Sequence, residues 1–415
     1  MTTAQSISIK KIVGQHISIA LSLSVLIVLI FSVPHAAFAE TESGLKVAGW
    51  IPYWQDTLGT KDAIQHIDAI DTIHPFVFTV KSDGSLSDLG DIDDRKWEKL
   101  FNEADDENVE VIPTIMTGEG AKIHSILSDT SMRGKHVAAI MDMVDEYDFD
   151  GVDIDYEGKR AETNLFFALF LLELKLQLMQ EEKVLSCTIE ARTPPEDLYR
   201  EVPAVLQRAN NYPVIGVVCD RIQIMTYDQQ RADLTLNDTR KGEPYIPLAD
   251  KDWVEKVVKY TVEHEGLPAE KIMLGIPTYG HNYMVTVAPD WYKEYGRIGA
   301  LNPPDIEELQ DEYDVVAGRT EGGELAFTYF HKNSPFNILN ELPTPEGTRE
   351  GMEAAAKALL FANTTGMEVS IRMITYADAG AAEDKIKIAE KYGLRGVAVF
   401  KWDGEEDEDM WELFE

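Results

Sequence analysis

Short apolar runs of β-type residues alternate along this chain with longer stretches of helical periodicity. The runs are Val47–Ile51, Thr72–Val80, Val109–Ile115, Gly151–Tyr156, Val184–Ile189, Arg221–Thr226, Lys271–Ile276 and Gly396–Phe400. Most are continuous rather than alternating, which is the pattern of strands covered on both faces. Between them lie amphipathic stretches, among them Asp93–Asp106, Met132–Asp145, Asn164–Glu182, Asp252–Glu265 and Ala381–Tyr392. Gly393 falls where a helix C-cap is wanted before the last strand. Eight strands with seven crossovers predict an α/β fold, a (β/α)8 TIM barrel. A doubly wound open sheet is the competing topology. No G-x-G-x-x-G follows the first strand, which weakens its dinucleotide-binding form.

The spacing breaks once. Strand seven ends near Ile276 and strand eight begins near Gly396, whereas a helical crossover takes roughly 30 residues. The excess predicts an α+β insertion subdomain over 281–372, leaving 40–280 and 373–415 as the barrel. It follows the C-terminal end of a strand, the face on which barrel active sites are built, so it can wall a substrate cleft. Tyr283, Trp291, Tyr292, Tyr295, Phe327, Tyr329 and Phe330 are candidates for that wall or for the insertion's own core.

Composition changes the picture at the N-terminus. Residues 1–39 carry Lys10 and Lys11, no acidic residue, an apolar run from Ile17 to Val33, and then Ala37-Phe38-Ala39. This pattern predicts a secretory signal peptide cleaved near Ala39–Glu40 and a secreted protein, an uncleaved membrane anchor being the alternative. No later stretch is apolar for long enough to span a bilayer. The formal charge of the 415-residue chain is −35, and −37 without the two signal lysines. A field of that sign repels nucleic acid and anionic membranes, so neither is expected as a partner. Two cysteines, Cys187 and Cys219, exclude a disulfide-rich scaffold and leave open one bridge or two thiols. A monomer is expected.

The chemical signal is Asp148-Phe149-Asp150-Gly151-Val152-Asp153-Ile154-Asp155-Tyr156-Glu157. Side chains alternate along a strand. Val152, Ile154 and Tyr156 then share the face under the outer helices, and Asp153, Asp155 and Glu157 point into the barrel. Barrel interiors are normally filled by Val, Ile and Leu. Three stacked carboxylates are costly to desolvate and repel one another, which raises at least one pKa and leaves a proton to donate near neutral pH. Glu157, nearest the mouth, is the candidate general acid. Asp155 can bond to Glu157 or to substrate, and Asp153 can share a proton with Asp155. A solvated acidic edge is disfavoured by the flanking apolar pattern. A Ca²⁺ loop is disfavoured because the glycine falls too early, so no metal is expected.

The segment Asp150-Gly151-Val152-Asp153-Ile154-Asp155-Tyr156-Glu157 resembles the D-G-x-D-x-D-x-E motif on strand four of family 18 glycoside hydrolases, the chitinase family. Met225-Thr226-Tyr227-Asp228 resembles its M-x-Y-D on strand six, and Gly275-Ile276-Pro277-Thr278-Tyr279-Gly280 its G-x-P-x-Y-G on strand seven. The large insertion before strand eight is similar as well. The resemblance implies substrate-assisted retention, in which the sugar's own N-acetyl oxygen attacks the anomeric carbon and no enzyme nucleophile or cofactor is needed. Glu157 would protonate the leaving oxygen and then activate water. Asp155 would orient the acetamido N–H, Tyr227 would hold the acetamido oxygen, and Asp228, with Met225 and Tyr279 beside it, would contact the sugar.

Two departures matter. The family's strand-eight tryptophan, the floor under the cleaved sugar, aligns with Phe400, while Trp402 lies two residues on and by strand alternation faces the same way, so either could form that floor. Strand three reads Pro113-Thr114-Ile115-Met116-Thr117-Gly118, without the S-x-G-G of many chitinases, and resembles the branch acting on peptidoglycan or spore cortex. Trp50, Tyr53 and Trp54 could stack on sugar rings. The expected function is cleavage of β-1,4 linkages in glycans containing N-acetylglucosamine, chitin or peptidoglycan. The alternative is a chitinase-like lectin, disfavoured because Glu157 is present.

Overall fold

A computed structural model of the chain describes residues 44–240 and 242–414. The expected signal peptide over 1–39 lies outside them. Seven parallel strands come first: β1 (Lys46–Pro52), β2 (Thr72–Val80), β3 (Thr114–Thr117), β4 (Gly151–Tyr156), β5 (Val184–Glu190), β6 (Arg221–Met225) and β7 (Ile272–Pro277). The insertion then contributes β8 (Gly280–Ala288), β9 (Trp291–Leu301), β10 (Gly318–Arg319), β11 (Leu325–Tyr329) and β12 (Val369–Tyr376). Last comes β13 (Gly396–Phe400). β1 pairs in parallel with both β2 and β13, and that double pairing closes an eight-stranded barrel rather than leaving an open sheet.

Local sequence explains most boundaries. The run Val109–Ile115 is not one strand. Glu110–Val111 and β3 pair separately with β2 on either side of Pro113, which has no N–H to give a ladder. The helix Arg95–Glu107 begins at Asp94, whose carboxylate accepts from Lys96 N, and ends at Asn108 in the left-handed region. The stretch Asp252–Glu265 is α-helical only over Lys251–Lys259 and then widens into a π turn at Tyr260–His264.

The insertion sheet is antiparallel, in the order β9-β8-β12-β11-β10. Its last strand runs past Arg372 to Tyr376, because pairing with β8 continues that far. The helix Glu353–Thr365 packs its alanine face, Ala354, Ala355, Ala358 and Ala362, on Tyr283, Val285 and Ile371. Of the candidate wall aromatics, Tyr283, Phe327, Tyr329 and Phe330 are buried in this subdomain, Tyr292 and Tyr295 partly so, and Trp291 is exposed.

Cys187 on β5 and Cys219 just before β6 form a disulfide, with Cα atoms 6.1 Å apart and both residues fully buried. The bridge spans a sequence separation of 32, for which constraint of the unfolded chain is worth about 3–4 kcal/mol. The Cys187→Ser/Cys219→Ser variant should unfold at correspondingly lower guanidinium concentration. A midpoint equal to that of the oxidised protein would remove this role.

Candidate active site

Strand β4 has the expected alternation. Val152, Ile154 and Tyr156 are buried on its outer face, where the Tyr156 ring stacks 5.7 Å from Phe170 and its hydroxyl bonds His136 Nε2. Asp153 and Asp155 therefore face the barrel axis, and Glu157, whose N–H continues the ladder to Thr117 O at 2.9 Å, follows them at the strand end. Asp153, fully buried, accepts from Thr114 Oγ1 at 2.9 Å and from Thr188 Oγ1 at 2.9 Å. Trp50 Nε1 donates to Thr114 Oγ1 at 3.0 Å. One layer down, Gln223 Nε2 bridges Ser186 Oγ at 3.1 Å and His74 Nε2 at 2.8 Å. This side of the interior is a hydrogen-bonded polar column, beside an apolar cluster of Ala48, Trp50, Phe76, Met273 and Ala398. Burial lowers the His74 pKa, so the ring that receives this bond stays neutral.

Asp155 is only 4% exposed, and its Oδ1 has no hydrogen-bond partner among the described residues. Burial pushes this carboxyl well above the usual range, with Glu157 and Asp153 adding repulsion. Glu157 is exposed at the barrel mouth. Its pKa is raised first by desolvation and then by the charge of Glu190, against the opposing pull of Lys159. Neither Glu190 nor Lys159 was anticipated from the sequence. Glu190 ends β5, where Ser186, Thr188 and Glu190 alternate with buried Leu185, Cys187 and Ile189, so the reading applied to β4 would have found it. Asn210 Nδ2 donates to its Oε2 at 2.6 Å, and the shielded Lys159 ammonium lies 3.5 Å away.

Tyr227 and Asp228 leave the end of β6. The Tyr227 ring stacks 5.7 Å from Phe400 and lies 6.4 Å from Tyr279. A Cβ at Gly275 would come within 2.9 Å of Tyr227 Cε1, so the strand-seven glycine makes room for this ring. Burial raises the Tyr227 phenol well above its ordinary value, which keeps it a neutral donor. Asp228, at φ 54°, accepts from Tyr279 Oη at 3.0 Å, and its Oδ1 lies 3.3 Å from His281 Nε2. Met225, half-buried, ends β6 in register with Glu190.

The strand-eight question is resolved by geometry. Phe400 is half-buried at the centre of an aromatic nest, 5.9 Å from Trp50, 5.8 Å from Phe76 and 6.1 Å from Tyr279. Trp402 is not at the mouth. It is 1% exposed, packed 5.3 Å from Trp411 and close enough to Gly49 that a Cβ there would lie 2.6 Å from its ring. Strand β13 ends at Phe400, so strand alternation cannot be carried on to residue 402. Trp50 is likewise a buried support, 2% exposed, rather than a stacking surface. Tyr53 is half-buried edge-on to Trp54, which is 50% exposed.

The strand-four carboxylates, Tyr227-Asp228 and Tyr279 thus converge on one mouth. Residues 46–405 match the family described as Glycosyl hydrolases family 18. The chain belongs to that family. Among curated relatives, YdhD of Bacillus subtilis, described as a sporulation-specific glycosylase, is 27% identical over 167 residues, 40% of this chain and 36% of its own. A Drosophila melanogaster protein described as a chitinase is 23% identical over 314 residues, 71% of this chain and 57% of its own. The matched stretch is thus less than two thirds of either relative. Two solved structures share the fold. The Bacillus cereus spore cortex-lytic enzyme SleL has a TM-score of 0.64 at 18% identity, over 89% of this chain and 73% of that one. A class V chitinase from Pseudomonas fluorescens has 0.66 at 19%, over 89% and 98%.

The charges around Glu157 give a signed prediction for this family 18 chain. A general acid works only while protonated, so its pKa sets the alkaline limb of kcat/KM. Glu190→Gln removes a repelling negative charge and should move that limb to lower pH. Lys159→Met removes an attracting positive charge and should move it to higher pH. A profile unmoved by both would dissociate the pair from the acid.

Proposed function

We propose that this chain is a secreted glycosidase that cleaves β-1,4 linkages in glycans containing N-acetylglucosamine, with Glu157 as acid and then base. The observation that carries this reading is the buried Asp155 carboxyl beside Glu157, whose Oδ1 has no hydrogen-bond partner among the described residues, with the Tyr227 hydroxyl donor facing the same mouth. The arrangement suits substrate assistance. Asp155 accepts from the acetamido N–H, Tyr227 donates to the acetamido oxygen, and the two hold that oxygen under the anomeric carbon. Glu157, whose pKa is raised by its surroundings, gives its proton to the departing glycosidic oxygen. The positive charge of the cyclised intermediate is then offset by Asp155, and Glu157 takes a proton from the attacking water. Phe400 offers the apolar floor beneath the ring. Export is supported by the composition of residues 1–39 and suits the Cys187–Cys219 bridge, which persists in oxidising compartments.

The test is product analysis by mass spectrometry. Residues 40–415 and the Glu157→Gln variant are incubated with chito-oligosaccharides and, separately, with purified peptidoglycan. Cleavage by wild type alone supports the reading and names the substrate. Binding of chito-oligosaccharide without cleavage of either glycan replaces it with a lectin.

A further inference from the structure

This chain carries a net charge of −35, and many of its arginines are held by carboxylates: Arg133 by Glu173, Arg208 by Glu265, Arg221 by Glu110, Arg319 by Asp378 and Arg349 by Glu243. Arg231 and Arg297 are different. Both are exposed, and among the described residues neither forms an ion pair with a carboxylate. They come from distant parts of the chain and meet on one surface. Arg231 lies three residues beyond Asp228, in the loop leaving β6, and its guanidinium sits 5.6 Å over the Tyr295 ring. Tyr295 is on β9, and its hydroxyl accepts from Tyr245 N at 3.1 Å. Arg297 is two residues further along β9, so it shares a face with Tyr295.

Arg297 Nη2 lies 2.9 Å from His281 Nε2, and that same nitrogen lies 3.3 Å from Asp228 Oδ1. The Arg297 guanidinium thus reaches Asp228 through His281, while that of Arg231, on the barrel loop, sits over Tyr295 on the same hairpin. His281 does not compete as a cation, because burial lowers its pKa to about 4. Asp228 already accepts from Tyr279 and approaches neither arginine to ion-pair distance. A planar guanidinium with free N–H groups is suited to a carboxylate, which it can take in a bidentate pair. An anionic glycan approaching so acidic a protein is repelled at long range and needs local cations to dock.

We propose that Arg231 and Arg297 form a carboxylate-binding subsite on the insertion side of the cleft. It selects glycans whose N-acetylhexosamines carry carboxyalkyl ethers, the muramic acid type, over neutral chito-oligosaccharides. This rests on the reading of the cleft as a site for N-acetylglucosamine glycans. Arg297 grips the carboxylate from the hairpin, Arg231 from the loop, and the Tyr295 ring keeps Arg231 in place.

The experiment measures binding to the Glu157→Gln chain by calorimetry at low salt. The probes are a tetrasaccharide alternating N-acetylglucosamine and N-acetylmuramic acid, the same compound with its carboxylates reduced to alcohols, and chitotetraose. The acid form should bind about 10-fold more tightly than the reduced form. In the Arg231→Gln/Arg297→Gln background the ratio should fall to about 1, with chitotetraose affinity changed by less than roughly 3-fold. The Arg231→Lys/Arg297→Lys background should regain part of the ratio, which a purely structural role would not do. Equal binding of acid and reduced forms, or parallel loss of all three probes in the glutamine variant, overturns the proposal. Hydrolysis by wild type is read separately. Discrimination without cleavage of any probe supports the subsite and removes the hydrolase reading. Cleavage without discrimination removes the subsite alone.

Discussion

Glu157→Gln should lower kcat on any glycan this chain cleaves by roughly 10⁴-fold, while substrate affinity stays within about 3-fold. Glutamine keeps the size and the hydrogen-bonding reach of the side chain. It has no proton to give to the leaving oxygen and cannot take one from water, so both chemical steps lose their partner. A loss of 10⁴ corresponds to about 5.4 kcal/mol of transition-state stabilisation, at the upper end of what one acid–base group supplies. Single-turnover kinetics with a chromogenic chito-oligosaccharide, together with calorimetric binding, separate the two effects. Residual activity above a few per cent would place the acid elsewhere, with Glu190 the next carboxylate to test.

Asp155→Asn should act in opposite directions on activity and stability. Asp155 is buried, with one oxygen lacking a hydrogen-bond partner among the described residues, and Glu157 and Asp153 add repulsion. Its folded-state pKa lies above its unfolded value, so the folded protein carries an electrostatic penalty. That penalty is absent below the unfolded pKa, grows as pH rises toward the folded pKa, and is complete above it. Asparagine removes it. The variant should melt about 1–4 °C higher than wild type near neutral pH, and the difference should shrink as the solution is acidified toward the ordinary aspartate range. Under the mechanism proposed above, the same substitution removes the counter-charge of the developing intermediate and should cost about 10²–10³-fold in kcat. Calorimetric melts at two pH values and steady-state kinetics read both effects. A variant that is less stable at neutral pH would show that the charge is compensated in the folded state.

The two outcomes together describe a familiar economy of active sites, in which stability is given up locally for chemistry. In this barrel the loss is offset nearby. Asp153 receives hydroxyl donors from Thr114 and Thr188 on the neighbouring strands, and Thr114 is itself held by Trp50. The column continues downward through Ser186, Gln223 and His74. A carboxylate pair at the mouth thus stands on a hydrogen-bonded polar stack, in which Asp155 Oδ1 and, lower down, Gln223 Oε1 are the buried oxygens without a partner among the described residues.

How much was legible in the chain depended on range. Period-two alternation along β4 assigned each of its side chains to a face, because strand geometry is local and a run of six residues is enough to express it. The same rule applied to β5 would have exposed Glu190, which was missed because its strand carries one acid rather than three. Lys159, His281 and Arg297 gave no comparable signal. Lys159 meets Glu190 across 31 residues, and Arg297 meets His281 only because β8 and β9 pair as a hairpin. Trp402 was misplaced for the reverse reason. A local rule was extended past the end of its strand, into a segment whose course is set by packing against Gly49 and Trp411.

The sequence alone therefore determined the barrel, its insertion and the row of carboxylates. Apolar runs covered on both faces, their spacing and their alternation are properties of consecutive residues. Tertiary structure alone decided which strand-eight aromatic lies at the barrel mouth, that Cys187 and Cys219 are bridged, that a polar column stands beside an apolar cluster inside the barrel, and that Arg231 meets Tyr295 and Arg297 meets His281. Each of these depends on residues brought together across tens of positions by strand pairing and barrel closure, and burial at such junctions is not encoded in any short window of the chain.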